Sequence, residues 1–408
     1  MAVAAVKLQM ESPLVRIERL REVIIKGGDQ AQQLRRLPDE TVSALTDEGF
    51  FRFALPTELG GENAGAAETV EILEAMAAID ASVAWNVMLG SEINAMAAGG
   101  MAADLAREIF LDNPRVIMCG GGGPGSQPSY AIAQKDGSVK VWGEATFISG
   151  CHNAEWCFLN APLVEEGKEH LANPMAGRMW FLHKSQYEIL DVWHMAGLRG
   201  SGSNTVRTTG GVVPAKYANV DLVTVPPLYD NPVFRIPVPL RLSYNKVAIA
   251  LGVAKGALDA FVQVANNKIP FLMASKLAER PVAQQRMGEM EAKYRAARAY
   301  VLEAMGAVEA ELRAGAPTPG AWTTQNARLA CTHGANACME VVDVLHNTAG
   351  TSGMQTAGPL ERRLRDAHGC ATHRWVAHPL FTDLGKIVMG GEASPEFAGG
   401  GGRGVARI

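Results

Sequence analysis

The residues of this chain that could do chemistry are scattered, and no short motif gathers them. His368 and His373 stand five apart with Cys370 between them. Five residues of helix turn through about 500°, so the two imidazoles do not share a face, and zinc, which wants His at i and i+4 with an acid nearby, is a poor fit. The six cysteines, Cys119, Cys151, Cys157, Cys331, Cys338 and Cys370, form no C-x-x-C pair and sit among apolar residues. They are expected to be buried free thiols, with no metal and no disulfide framework. Gly120 to Gly123, followed by Pro124-Gly125, has the glycines of a phosphate loop but lacks the Lys-Ser/Thr and a following helix. It reads as a tight loop where backbone approaches something closely. A dinucleotide fingerprint and a G-x-S-x-G elbow are also missing. What remains is an imidazole whose ordinary pKa of roughly 6.5 suits proton exchange near neutral pH. With it stand the hydroxyls of Ser149, Ser201 and Ser203, and Glu92 in an apolar stretch with Trp85 and Met88.

Three zones of composition position these residues. From Ser12 to Asp112 the pattern is helical. Pro38-Asp39-Glu40 opens a helix with early acids that suit its positive end, Pro56 and Gly60-Gly61 break the pattern, and Ala66–Ile79 and Ala81–Ala98 read as two further helices. From Pro114 to Pro239 short alternating runs predict strands over Tyr130–Ala133, Val139–Trp142, Trp156–Leu159, Met179–Leu182 and Gly211–Val213, a small barrel or sandwich. Helices return at Val247–Ala265, Ala283–Arg313, Ala327–His346 and Arg362–Trp375. The expected architecture is α+β: an N-terminal α-helical domain over 1–113, a central β domain over 114–239, a C-terminal four-helix bundle over 240–395 and a Gly-rich tail over 396–408.

Composition narrows the partners. Of 408 residues 48% are hydrophobic and 20% charged, with a net charge of −4 and no basic stripe, so nucleic acid is not expected. No run of about 18 apolar residues lacks charge or Gly/Pro interruption, and the first residues do not form a secretory signal. A cytoplasmic protein without a membrane span is expected.

Four ordered groups of residues carry a resemblance. They are Leu37-Pro38-Asp39-Glu40 with Gly49-Phe50-Phe51, Pro56 and Gly60-Gly61; Trp142-Gly143 with Phe147-Ile148-Ser149-Gly150 and Ala154-Glu155-Trp156; Trp193 with Gly197 to Ser203 and Val213-Pro214; and Gly350, Gly353 and Pro359 with Arg362, Arg365-Asp366 and His373. Together they resemble the acyl-CoA dehydrogenase superfamily over nearly the whole chain. The Ser149-Gly150 step and the spacing from Arg365-Asp366 to His373 are similar to one branch, the oxygenase components of two-component (group D) flavin-dependent monooxygenases. That branch includes p-hydroxyphenylacetate hydroxylase and dibenzothiophene monooxygenase. A dehydrogenase of this fold needs a carboxylate base, which many members carry just after the Arg-Asp pair. Here Ala367 to Arg374 holds no Asp or Glu.

The resemblance implies reduced FMN or FAD as cofactor, O₂ as cosubstrate and no metal. It implies a flavin C4a-hydroperoxide that hydroxylates a small aromatic or heteroaromatic substrate, phenolic or indole-like. Reduced flavin would come from a separate NAD(P)H:flavin reductase, and the chain would form a homotetramer. Ser149 is expected at flavin N5, with His373 over the flavin as the second catalytic group. Trp193, Arg199, Ser201, Ser203, Gly350 and Gly353 are expected to hold the cofactor, with Lys268 and Phe271 where relatives meet flavin phosphate across a subunit interface. Trp85, Met88, Glu92, the loop Cys119-Gly120-Gly121 and His368 would line the substrate pocket. The alternative is an acyl-CoA dehydrogenase or nitroalkane-type oxidase with tightly bound FAD.

Overall fold

In a computed structural model, residues 11–121, 123–173, 177–218, 229 and 231–392 are described. Gly122 of the glycine loop and the predicted tail over 396–408 lie outside them. Six helices come first: α1 (Pro13–Arg19), α2 (Arg21–Leu34), α3 (Asp39–Asp47), α4 (Ala66–Ile79), α5 (Ala81–Gly100) and α6 (Ala103–Leu111). Eight strands follow: β1 (Met118–Gly120), β2 (Gly123–Pro124), β3 (Tyr130–Ala133), β4 (Val139–Ile148), β5 (Trp156–Ala161), β6 (Arg178–His183), β7 (Glu188–Leu190) and β8 (Asn204–Val213). Five more helices complete the described chain: α7 (Val238–Asn267), α8 (Pro281–Arg313), α9 (Ala321–Ala349), α10 (Pro359–Ala371) and α11 (Leu380–Val388).

The helix–strand–helix order matches the expectation, and the differences lie at the ends. α10 stops at Ala371, so His373 follows the helix instead of lying within it. α7 starts at Val238, nine residues before the predicted Val247. Pro239 in its first turn reads as a breaker in sequence, yet it is tolerated where the helix has no partner for an N–H. The strands form a three-stranded sheet, β1-β5-β6, and a second sheet, β2-β4-β8-β7, with β3 also on β4. β1 and β5 are parallel, and the other pairs are antiparallel.

α7 is the central rod. It packs on α4, α8, α9 and α10, and its apolar surface is therefore spread around the helix instead of along one stripe. By length and a mean hydropathy of 1.6 it could cross a membrane, but 72% of that window is buried inside the protein. α5 is the second rod. Asp80 starts it by accepting the Val83 N–H at 3.0 Å, and the same buried carboxylate meets Arg362 of α10 at 3.0 Å. On the far side, Asn94 of α5 donates to the carbonyls of Phe51 and Val116 and accepts the Met118 N–H, fixing the entry to β1.

The loop Gly197–Ser203 leads into β8 and presses on α10. A Cβ on Gly197 would stand 2.0 Å from the Arg365 carbonyl oxygen, so only glycine allows this approach. Gly197→Ala should lower stability by about 1–3 kcal/mol, the usual range for forcing atoms into a filled interior. The urea midpoint should fall while the denaturant slope stays constant; an unchanged midpoint would show that the loop does not need this contact.

Candidate active site

The site grows from one face of α5. Trp85, Met88 and Glu92 sit at i, i+3 and i+7 and so lie along one side of the helix. At its start, the Trp85 indole N–H donates to Ser149 Oγ at 3.1 Å. Ser149 Oγ lies 2.6 Å from Ser203 Oγ, which in turn lies 2.7 Å from Ser201 Oγ. All three hydroxyls are buried, Ser149 at 7% exposure. A hydroxyl has one proton to give and two lone pairs to fill. Ser149 already accepts from Trp85. If Ser203 donates to it, its own proton is free to be given outward; if it donates to Ser203, a lone pair is free to accept. The serine chain can therefore meet either an acceptor or a donor.

His373 meets the same tryptophan. Its ring is edge-on to Trp85, with centroids 5.6 Å apart at 62°. The Trp375 backbone N–H donates to its Nδ1 at 3.4 Å, which favours the tautomer with the proton on Nε2. Burial, then the Lys246 ammonium, pushes its pKa down to about 3. The imidazole is neutral at physiological pH and presents an N–H donor.

Glu92 is paired inside the protein. Lys246 donates to it at 2.7 Å and Asn245 Nδ2 at 2.7 Å, one to each carboxylate oxygen. The ion pair is buried, with 2% and 3% of the two side chains exposed. Partners 153 and 154 residues away explain why the sequence did not reveal them. Arg241, one turn earlier on α7, lies beside a cavity of about 20 Å³ with Glu92, Met88, Tyr244 and Asn245. It is 8% exposed, its Nε is unpaired, and among the described residues its guanidinium has no hydrogen-bond or ion-pair partner. Asn245 Oδ1 also lacks a donor. Neither Arg241 nor Lys246 was singled out from sequence. The available signal was two cations in one apolar stretch, Leu240 to Val247.

The remaining candidates divide. Trp193 is buried, donates its indole N–H to the Leu198 carbonyl at 3.1 Å and meets Phe147 edge-on at 6.0 Å. Phe147 is 58% exposed and holds φ +59°, a strained value for a side chain with Cβ. Phe147 stands two residues before Ser149, so this aromatic pair lies close to the serine chain in sequence. Arg199 donates to the Gln32 carbonyl at 2.8 Å and lines a separate open cleft with Arg362, Arg365 and Glu361. His368 turns to α9, where Nε2 meets Asp343 at 2.9 Å. The Cys119 thiol lies in the β-side core, where burial raises its pKa, and a Cβ on Gly120 would strike the Phe158 ring while Gly121 has open space around it. Lys268 donates to the Ala349 carbonyl at 2.6 Å, next to Gly350; Gly353 packs on His346. This group sits at the far end of α7, about 30 Å along the helix from Lys246, and within one protomer it does not join Ser149 and His373. All six cysteines are buried and free, and among the described residues no three His, Cys, Asp or Glu are placed to hold a metal.

This arrangement and fold belong to a known class. Residues 18–107 match the acyl-CoA dehydrogenase N-terminal domain and residues 245–378 the acyl-CoA dehydrogenase C-terminal domain, together more than half of the chain, and the chain belongs to the acyl-CoA dehydrogenase family. Within it, the chain is 27% identical to indole-3-acetate monooxygenase of Acinetobacter baumannii, over 88% of this chain and 89% of that protein. It is 28% identical to the oxygenase subunit HsaA, a flavin-dependent monooxygenase of Mycobacterium tuberculosis, over 89% and 91%. The HsaA crystal structure superposes with a TM-score of 0.79 over 94% of this chain and 98% of that one. XiaF from Streptomyces sp., in complex with FADH2 and glycerol, is 20% identical and superposes at 0.84 over 93% and 96%, a likeness of fold.

The neutral state of His373 sets a pH dependence. Its pKa is about 3 when folded against an ordinary 6.5, so between these values the unfolded chain binds more protons and the stability this residue contributes is lost as pH falls below about 6.5. Asp366, raised by burial from 3.8 to about 6, acts in the opposite sense, so the comparison must isolate His373. The His373→Gln variant should gain stability relative to the parent as pH falls from about 6.5 to 4. Parallel unfolding midpoints over that range would show that His373 titrates normally.

Proposed function

We infer that this chain is the oxygenase component of a two-component flavin-dependent monooxygenase. It uses reduced FMN or FAD, supplied by a separate NAD(P)H:flavin reductase, and O₂ to hydroxylate a small phenolic or indole-like substrate. The observation that carries this reading is the meeting of Ser149 and neutral His373 at Trp85, and the monooxygenase names of the relatives support it.

The residues present fit a flavin. Oxidised flavin N5 accepts a hydrogen bond and reduced N5–H donates one, and Ser149 can serve either because its chain to Ser203 and Ser201 can reverse. Trp193 and Phe147 offer aromatic edges and faces to a planar ring. When bound, reduced flavin would supply two electrons and, by the C4a-hydroperoxide route, one oxygen atom of O₂. The chain's own part is to hold N5 with Ser149, to exclude water with Trp85 and Met88, and to donate from His373 Nε2–H to a substrate or leaving oxygen. The dehydrogenase alternative needs a free carboxylate base. Glu92 is bound to Lys246 and Asn245, and Asp366 accepts the Leu198 N–H at 2.7 Å.

Ser149→Ala should shift the enzyme from hydroxylation to H₂O₂ release. Loss of one hydrogen bond of about 1–3 kcal/mol accelerates the wasteful path about 5- to 150-fold. Product and H₂O₂ per reduced flavin, measured in single turnovers, give the readout; parental coupling in the variant would remove Ser149 from the mechanism. We also propose a homotetramer. Ile269, Phe271, Leu272 and Met273 form an exposed apolar run after α7, and from there Lys268 can reach only another protomer's flavin. Light scattering should report about four times 43.5 kDa; a monomer at micromolar concentration would reject the assembly.

A further inference from the structure

Arg241 is a buried cation with no ion-pair partner among the described residues. It lies in the first turn of α7, a helix with no acid in that turn, so the positive end of the helix adds to the cost of the charge. The carboxylate that acts on it, Glu92, is already neutralised by Lys246. Burial accordingly lowers the Arg241 pKa. Tyr244, Asn245, Ser91 and Thr69, the other polar groups at the cavity, carry no compensating charge. Asn245 Oδ1 asks for a donor that water supplies; Arg241 asks for a negative charge that water cannot supply. An uncompensated buried charge is costly to retain, and groups held at such a cost cluster where ligands bind.

We propose that Arg241 receives the carboxylate of the substrate, and that the natural substrate is an aromatic acid with a short arm. This rests on the monooxygenase reading and narrows its substrate class. Two magnitudes select the ligand. The cavity of about 20 Å³ takes a group little larger than one water, so it admits a compact head group and no ring. Along α5, the step from Trp85 to Glu92 spans about 10 Å at 1.5 Å per residue. Met88 and Glu92 line this cavity and continue the α5 face that begins at Trp85, so the carboxylate arm of an aromatic ring held at Trp85, Ser149 and His373 would run along that face, and the long Arg241 side chain would cover the remaining distance. A carboxylate brings the single charge that Arg241 lacks and two oxygens matched to its fork. A phosphate brings more bulk and charge than the cavity and one cation can balance.

The test compares acids with their neutral amides, without turnover. Indole-3-acetate, 4-hydroxyphenylacetate and the corresponding acetamides are titrated into the full-length protein with reduced FMN, and again with reduced FAD, under anaerobic conditions. The parent should bind at least one acid about 10-fold or more tighter than its amide, as a desolvated charge-assisted hydrogen bond requires. In Arg241→Gln the preference should shrink below about 3-fold, and Arg241→Lys should keep part of it. Equal binding of acid and amide by the parent, or an intact preference in Arg241→Gln, overturns the proposal. If Arg241→Gln does not fold, the parent and Arg241→Lys decide it. Admitting O₂ separates the two readings. An acid preference without hydroxylated product sinks the monooxygenase reading alone; product from a neutral aromatic with no acid preference sinks the assignment of Arg241 alone.

Discussion

The site depends on the seam where the loop Gly197–Ser203 lies against α10. Leu198 is its pivot. Its N–H donates to the buried Asp366 carboxylate at 2.7 Å, and its carbonyl accepts the Trp193 indole N–H at 3.1 Å. The residue holds φ +50° to do both. One residue thus ties the helix that leads to His373 to the strand region that carries Trp193, Ser201 and Ser203. The second tie is Asp80, which caps α5 and pairs with Arg362 of α10. Trp85, one helical turn on from that cap, is in this way held in register with His373. With the bonds of Ser82 and Asn86 to the Gly200 backbone, these two carboxylates set the geometry that brings three separate stretches of chain to one tryptophan.

The fold was legible because its elements are long and regular. A helix of 33 residues such as α8, or the Ala-rich α4 and α5, declares itself through periodicity and composition. The short strand β7 and the first half of β8 did not: Glu188–Leu190 is a partly exposed edge strand, and residues 204–209 are mostly polar although they are largely buried between β4 and β7. Ends were least legible: Pro239 hid the true start of α7, and that omission removed Arg241 from view.

Within the site, Ser149 and His373 were found through the resemblance and not through any local pattern, since a strand-end serine and a histidine after a helix are common. Glu92 lies beside Met88 at one cavity, but its chemical state depends on Lys246, and pairing across 154 residues leaves no trace in spacing. Sequence shows which groups can carry charge. Only packing shows which charges are already answered. The Lys246–Glu92 pair costs desolvation on both sides, and Lys246 helps to keep His373 neutral. One buried salt bridge therefore influences the donor at the reaction centre as well as the charge left over at Arg241.

The reversible serine chain bears on redox thermodynamics. A hydrogen bond that can run in either direction at N5 contributes little to the difference in affinity between the two oxidation states, and that difference is what shifts a bound flavin's reduction potential. Selection of the reduced form then falls to shape. A reduced isoalloxazine bends along its N5–N10 axis, whereas the oxidised ring is flat, and in the proposed complex Phe147, strained and edge-on to Trp193, would meet that difference.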